Sequence, residues 1–214
     1  MDVSFETIVL GVVPVVLAIT MHEAAHGFVA RMFGDQTAWM LGRVTLNPFK
    51  HVDLVGTVLL PGVLLLMHAP FLFGWAKPVP VNFANLRNPK RDMLWVAAAG
   101  PGANFVMAFA WALLLKASLP QGVLASSGLV LMARIGIEIN LMLMALNLLP
   151  IPPLDGGRIA VSLLPPRASM VWARLENYGL FIILGLLLVP GLLNALMSPL
   201  VNAGAHLLQA LVGL

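Results

Sequence analysis

The sequence predicts an all-α polytopic membrane protein, with about four to six transmembrane helices and a re-entrant β-containing segment between the first and second core helices. Hydrophobic residues make up 60% of the 214 residues and charged residues only 10%, whereas a soluble domain carries roughly 25% charged residues. Several apolar stretches reach the ~20 residues that span a bilayer. The basic residues flank these stretches and form no aromatic-interleaved patch, so the net charge of +3 indicates membrane orientation and no nucleic-acid partner.

The apolar stretches define the candidate membrane segments. Those of sufficient length are residues 5–33, 54–73, 93–115, 128–149 and 170–189. A weaker stretch at residues 192–214 contains several polar side chains, and it either crosses the bilayer or lies along the interface. The first stretch starts with acidic residues and shows no cleavage site, so we expect a retained helix.

Basic residues predict the orientation of this multi-pass protein in the cytoplasmic membrane. Seven of the 12 Lys and Arg residues lie between the first helix and residue 93, and three more follow residues 152–157. By the positive-inside rule both regions face the cytoplasm. The segment at residues 54–73 must then enter and leave on the cytoplasmic side, because a full crossing would reverse every later helix.

This re-entrant segment is predicted to contain β-structure. Pro61 and Pro70 within it remove helix donors and favour a chain that turns back. The flanking residues 43–46 and 77–83 alternate like short strands. Irregular backbone at membrane depth is tolerated only where it packs in protein or lines a wet cavity. We therefore expect this segment to lie beside a functional site that faces the cytoplasm.

The pattern His-Glu-x-x-His lies inside the first apolar stretch, at residues 22–26. His22 and His26 are four residues apart, so on a helix they share one face and can bind one zinc ion. Glu23 can take a proton from a zinc-bound water. The pattern also occurs by chance, and single histidines are often structural. Three ionisable groups inside a membrane segment nevertheless favour a functional site. Because the chain has no cysteine, a metal must be bound by His and carboxylate ligands.

A third ligand is expected in "NLLPIPPLDGGR", which follows the helix that returns to the cytoplasmic side. Asp155 is the carboxylate of this stretch. An ordinary Asp-Gly turn is the alternative interpretation. A catalytic zinc ion usually has three protein ligands and one open position, so a carboxylate at the depth of the histidine pair favours the ligand.

Together these motifs resemble the site-2 protease family of intramembrane zinc metalloproteases. The segments "HEAAHG", "GWAKPVPVN", "AAGPGANF" and "NLLPIPPLDGG" carry the resemblance, which covers about residues 20–160. The resemblance implies that His22, His26 and Asp155 bind one Zn²⁺ ion and that Glu23 is the general base. It also implies that Asn147 positions or stabilises the scissile carbonyl. Asn147 could instead tie helix backbones together.

The implied activity is that of a zinc metalloendopeptidase in regulated intramembrane proteolysis, which hydrolyses peptide bonds within or near transmembrane segments of substrate proteins. The expected partners are a transmembrane substrate and the lipid bilayer, and a homo-oligomer or a regulatory membrane partner is left open. Residues 43–46 and 77–83 would present an edge to an unwound substrate helix.

The expected architecture is a short form of this family. We expect a single membrane-embedded metalloprotease domain over residues 1–214, with a core at residues 5–160 and C-terminal helices at residues 168–214. The loop at residues 117–127 is too short for a PDZ module, and no regulatory domain is expected.

Two questions stay open at this point. A non-catalytic zinc-binding scaffold or a transporter is the alternative function, although a transporter predicts two matching halves and the sequence shows no repeat. His51 and Asp53 either orient a metal ligand or form a hydrogen-bonded pair at the interface.

Overall fold

The computed structural model describes residues 5–67 and 74–213, and all regular structure within these ranges is helical. In chain order the α-helices are α1 (Phe5–Met32), α2 (Thr37–Met40), α3 (Leu60–Leu66), α4 (Pro89–Ser118), α5 (Ser127–Leu148), α6 (Asp155–Leu163), α7 (Pro166–Arg174), α8 (Gly179–Leu188) and α9 (Leu192–Val212). Short 3₁₀ turns lie at Pro48–Lys50, Phe83–Asn85 and Leu175–Tyr178, and a π-helical stretch lies at Leu54–Leu59.

Five helical stretches of the described chain are long and apolar enough to cross a membrane. They are α1 from Glu6 onward, α4, α5, α9 and the stretch Pro166–Leu188 that combines α7 and α8. The predicted all-α polytopic class is confirmed, and the number of spans falls within the predicted range. The weaker stretch at the C-terminal end is among the helices with sufficient length to span.

The predicted β-structure is wrong for the part of the chain that the structure describes. Residues 44–46 form bends, and residues 77–82 have no regular secondary structure. Pro78 and Pro80 carry no N–H, so a ladder through this segment would lack two donors on the same side. The Val79 N–H between them donates to the Glu23 carboxylate. The alternating side chains therefore belong to a segment that cannot form a regular ladder. Its backbone N–H groups are absent at the two prolines and bonded elsewhere at Lys77, Val79 and Asn82.

The predicted re-entrant segment is helical in its described part. The π-helical stretch Leu54–Leu59 has 6 residues and α3 has 7, which is well below the ~20 residues of a full span. Trp75 N donates to Gly56 O at 3.1 Å, and Lys77 N donates to His51 O at 2.8 Å. The chain thus comes back beside its starting point. Pro70 lies outside the described residues.

The core of the molecule is formed by α1, α4 and α5. Small side chains allow these helices to approach closely, as is common between membrane helices. A Cβ atom on Gly136 of α5 would lie 2.4 Å from the Trp111 ring of α4. Ala108, Leu141, Met144 and Leu208 join α4, α5 and α9 in one buried cluster. This packing brings the middle of α1 and α4 next to the start of α6.

Candidate metal centre

Three side chains from two distant parts of the sequence meet at one point. The Nε2 atoms of His22 and His26, one turn apart on α1, are 3.1 Å from each other. Oδ2 of Asp155 is 3.2 Å from each of them. All three residues are buried. The structure therefore brings together the three residues that the sequence predicted as ligands, in a group that could hold a metal ion.

The position of Asp155 depends on backbone that packs unusually closely. Prolines follow the end of α5 and prevent its continuation, and Asp155 opens α6. A Cβ on Gly156 would lie 2.3 Å from Leu149 O, and a Cβ on Gly157 would lie 2.4 Å from Pro152 N. The two glycines are thus required by contact with the preceding loop. The alternative of an ordinary exposed Asp-Gly turn does not describe this buried arrangement.

The hydrogen bonds of the two imidazoles fix their tautomers. His22 Nδ1 lies 2.6 Å from Asn104 Oδ1, and His26 Nδ1 lies 2.7 Å from Val96 O. Since both partners are acceptors, we assign the ring protons to Nδ1. Both Nε2 atoms then present lone pairs to each other and to Asp155. Such a group is mutually repulsive without a cation between its members.

The surroundings of the Asp155 carboxylate favour the binding of a positive ion. Its Oδ2 is buried and has no hydrogen-bond donor among the described residues. With both Nε2 atoms unprotonated, the imidazoles donate no hydrogen bond to this oxygen, so the group presents three buried electron-pair donors that a cation would stabilise.

The spacing of the three candidate ligand atoms is close to the spacing expected of ligands to one zinc ion. Ligands at about 2.0–2.2 Å from a tetrahedral zinc ion lie about 3.3–3.6 Å from one another. The distances of 3.1–3.2 Å between the three atoms are close to this edge length. They define one face of a tetrahedron and leave a fourth position for water or substrate.

Gly100 of α4 lies directly against the imidazole pair. A Cβ at this position would lie 2.4 Å from His26 Nε2 and 2.5 Å from His22 Cε1. The backbone of α4 at Gly100, where there is no side chain, therefore packs against the face of α1 that carries His22 and His26. The sequence analysis did not identify this role, although the small residues of "AAGPGA" indicate close packing.

Glu23 is next to the histidines in sequence and is held by a backbone donor. Its Oε2 accepts a hydrogen bond of 2.7 Å from Val79 N. No signal in the sequence indicates this contact, because the donor is a main-chain group 56 positions away.

Asn147, the predicted carbonyl-positioning residue, lies near the end of α5 and is partly buried. Its Nδ2 donates to Leu143 O of the same helix at 3.0 Å. This contact lies within one helix and does not tie two helices together.

His51 and Asp53 bond separately and do not form a pair. His51 is buried, and its Nε2 lies 3.0 Å from Thr45 O. Asp53 caps the π-helical stretch by accepting from Val55 N and Gly56 N. Neither side chain hydrogen-bonds to a residue of the candidate metal centre, so both act on the loops beside it.

Several known proteins are similar in sequence to this chain. The model of Peptidase family M50 matches residues 117–190. YwhC of Bacillus subtilis, named a candidate zinc metalloprotease, is 41% identical over 197 residues, which cover 90% of this chain and 86% of YwhC. The Rip2 proteins of Mycolicibacterium smegmatis and Mycobacterium tuberculosis H37Rv, named in the same way, are 29% identical over 82% of this chain. The chain spans 65% of the length of both Rip2 proteins. No solved structure matches the chain.

Proposed function

This chain belongs to peptidase family M50, the intramembrane zinc metalloproteases, and we propose that His22, His26 and Asp155 hold its zinc ion while Glu23 is its general base. The protein is a zinc metalloendopeptidase of the membrane. The observation that carries the residue assignment is the triangle of two unprotonated nitrogens and one unpartnered carboxylate oxygen, with sides of 3.1–3.2 Å. A buried triangle of this kind needs a cation at its centre.

The chemistry divides between the metal and the chain. Bound zinc supplies a Lewis acid that polarises a carbonyl and lowers the pKa of water toward ~7. Glu23 takes a proton from the attacking water and returns it to the leaving amine. Val79 N donates to Oε2 of Glu23, so Oε1 is the oxygen that we assign to receive the proton, because it does not share its lone pairs with this donor. General base groups typically contribute about 10²–10⁴-fold to the rate.

Asn147 positions the scissile carbonyl in this proposal. A neutral amide can donate to the oxygen that gains negative charge in the transition state. One N–H of Asn147 is used within α5, and this bond orients the other. Asn147 lies in the last turn of α5, and the loop after α5 leads to Asp155 at the start of α6, which supports a location near the metal.

The substrate is proposed to be a transmembrane segment of another protein, which must unwind locally because helical peptide bonds are shielded. An apolar cavity of about 350 Å³ lies against α1 and is lined by Met21 and Phe28, by Ala103 of α4 and by residues 44–46. Apolar side chains of such a substrate fit its lining.

The site is proposed to open toward the cytoplasm. His22 precedes the end of α1 at Met32 by ten residues, or about 15 Å along the helix. Arg31 lies in the last turn of α1, and Arg43 and Lys77 lie in the segments that follow it. By the positive-inside rule these basic residues support a cytoplasmic location of the adjacent loops.

Metal analysis and cleavage of a panel of single-span peptides test the proposal. Purified wild type should contain one zinc ion per chain and cleave at least one peptide. Asp155→Ala should lose both zinc and cleavage, whereas Glu23→Gln should keep zinc and lose cleavage by at least about 10²-fold. Full zinc content in Asp155→Ala would contradict the ligand set, and retained turnover in Glu23→Gln would contradict the base. A wild-type protein that binds zinc but cleaves nothing would favour the scaffold alternative.

A further inference from the structure

A chain of amide hydrogen bonds runs from His22 into the centre of the helix bundle. His22 Nδ1 lies 2.6 Å from Asn104 Oδ1, and Asn104 Nδ2 donates to Asn140 Oδ1 at 3.0 Å. Asn104 Nδ2 also donates to Ala18 O at 3.2 Å, and Asn140 Nδ2 donates to Gly136 O at 2.8 Å. Both asparagines are 0% exposed. The chain of bonds therefore links α1, α4 and α5 through side chains that are fully buried.

Each amide in this chain can be oriented in only one way. The amino group of Asn104 has two hydrogens, and both are used by Ala18 O and Asn140 Oδ1. Its Oδ1 is therefore the side that faces His22. Asn140 faces Asn104 with an oxygen because its own amino group donates to Gly136 O.

We propose that Asn104 is a positioning residue for His22 and that Asn140, which has no hydrogen bond to a proposed ligand among the described residues, acts with Ala18 O to keep the amino group of Asn104 turned away from His22. An oxygen toward His22 requires a proton on Nδ1 and leaves Nε2 free for zinc. This inference rests on the proposed zinc site, and it names the residues that prepare one ligand for it.

Without the Asn140 acceptor, the amino group of Asn104 would be held by Ala18 O alone, through the longer of its two bonds, and the amide could turn over. The amino group of Asn104 would then face His22 Nδ1, which would become an acceptor, and the ring proton would move to Nε2. A protonated Nε2 has no lone pair for a metal. Groups that orient metal-bound histidines typically contribute 10–100-fold to metal affinity, so we expect a loss in that range from a residue outside the ligand set.

A purely structural role is the competing explanation, since buried amide bonds also hold membrane helices together. A change of the side chain at position 104 from an amide to a carboxylate separates the orienting role from the structural role. A carboxylate at position 104 has no amino side and cannot be oriented wrongly, so Asn104→Asp removes the need for Asn140 as an orienting group. Because the bond from Asn104 Nδ2 to Asn140 Oδ1 is lost in either single variant, the melting temperature reports the structural contribution of that bond, and the zinc dissociation constant reports the orientation of the ligand.

The experiment measures the zinc dissociation constant of the full chain by chelator competition, together with the melting temperature of the zinc-free protein. Asn140→Ala should weaken zinc binding by about tenfold or more, and Asn140→Asp should stay within about threefold of wild type because its carboxyl oxygen still accepts. Asn104→Asp/Asn140→Ala should bind zinc within about threefold of Asn104→Asp alone. Ser118→Ala is the matched control, because it removes one buried side-chain bond on α4, to Leu114 O, far from the site.

Two results would overturn the inference. One is a wild-type zinc affinity in Asn140→Ala. The other is a loss of zinc affinity on Asn140→Ala that is as large with Asp at position 104 as with Asn104. If Asn140→Ala does not fold, the ¹⁵N spectrum of the histidine rings in the zinc-free wild type decides. It should show His22 protonated on Nδ1, and a proton on Nε2 would contradict the inference. A wild type that binds no zinc refutes the proposed function instead, while the ring spectrum still tests the orientation.

Discussion

The backbone N–H of Val79 donates to Oε2 of Glu23 at 2.7 Å. Pro78 and Pro80 on either side have no N–H, so Val79 has the one backbone N–H of residues 78–80. That N–H donates to the proposed general base. Bonds from a neutral donor to a charged acceptor are stronger than bonds between neutral groups. The extended segment at residues 77–82 therefore acts on the reaction by orienting Glu23.

Removing the Val79 donor should slow cleavage and leave the metal in place. Val79→Pro deletes the N–H and keeps an extended backbone, since consecutive prolines adopt this conformation. A hydrogen bond to a charged group contributes about 1.5–3 kcal/mol, so we expect kcat to fall by about 10- to 100-fold. Zinc content and kcat are measured for the variant and the wild type.

The control for this change is Val79→Ala, which keeps the N–H and removes most of the side chain. Val79 is buried and its Cγ1 approaches Gly27, so some loss of stability is expected in both variants. Equal kcat values for the alanine and proline variants would contradict the role of the N–H.

Gly100 should tolerate no side chain. In Gly100→Ala the new Cβ would lie 2.4 Å from His26 Nε2, a distance that forces the imidazoles or α4 to move. We expect zinc affinity to fall by at least about tenfold, as for other disturbances of ligand orientation. Chelator competition on the purified variant measures this loss.

Gly102→Ala is the matched control for Gly100→Ala, because nothing lies within 4 Å of a Cβ at Gly102. Alanine is favoured over glycine within a helix by about 1 kcal/mol, so this variant should keep zinc and unfold at the wild-type temperature or slightly above it. Wild-type zinc affinity in Gly100→Ala would show that the packing of α4 on the histidines is looser than the distances indicate.

The sequence predicted the helical fold because length and hydropathy are enough to specify a membrane helix. A run of about 20 apolar residues has few stable alternatives in lipid. The strands at residues 43–46 and 77–83 were predicted wrongly for a different reason. Alternation is a local pattern, whereas a strand needs a partner with free donors and acceptors, and here the Arg43 side chain donates to Lys77 O and Pro78 O.

The proposed ligand triad could be predicted from the sequence, and the structure brings its three members together, whereas the groups around them mostly could not be predicted. His22, His26 and Asp155 belong to patterns whose spacing has a direct geometric meaning. Gly100 and Val79 act through backbone, so their roles depend on how helices and loops pack. Asn140 did offer a signal, since an amide within an apolar helix usually has a buried partner, but its partner is specified only by the packing of α4 against α5.

The absence of cysteine makes the membrane orientation directly testable. Val123, in the loop between α4 and α5, is 95% exposed, and Asn88, just before α4, is also exposed. In intact cells a membrane-impermeant maleimide should label Val123→Cys and leave Asn88→Cys unlabelled until the membrane is permeabilised. The opposite pattern would place the metal centre toward the outside.

Asp35 should make the stability of the protein depend on acidic pH. Its buried carboxylate accepts from Thr37 N, Thr37 Oγ1, Asn82 N and Asn85 Nδ2. Burial raises the pKa of Asp35, but these four donors lower it by more, so the folded-state pKa lies below the ordinary value. The stabilisation is therefore complete above the unfolded-state pKa of about 3.9 and is lost as the pH falls toward the folded-state pKa.

Thermal unfolding of the zinc-free protein between about pH 7 and pH 3 measures this effect, since removal of zinc excludes proton competition at the metal ligands. Wild type should lose stability below about pH 4. Asp35→Asn should be less stable by about 1–3 kcal/mol at neutral pH, because an amide cannot accept from all four donors, and its unfolding temperature should vary less below pH 4. Glu6→Gln, at an exposed position near the start of α1, should retain the acid dependence of the wild type. An unchanged acid dependence in Asp35→Asn would assign the loss of stability to other carboxylates.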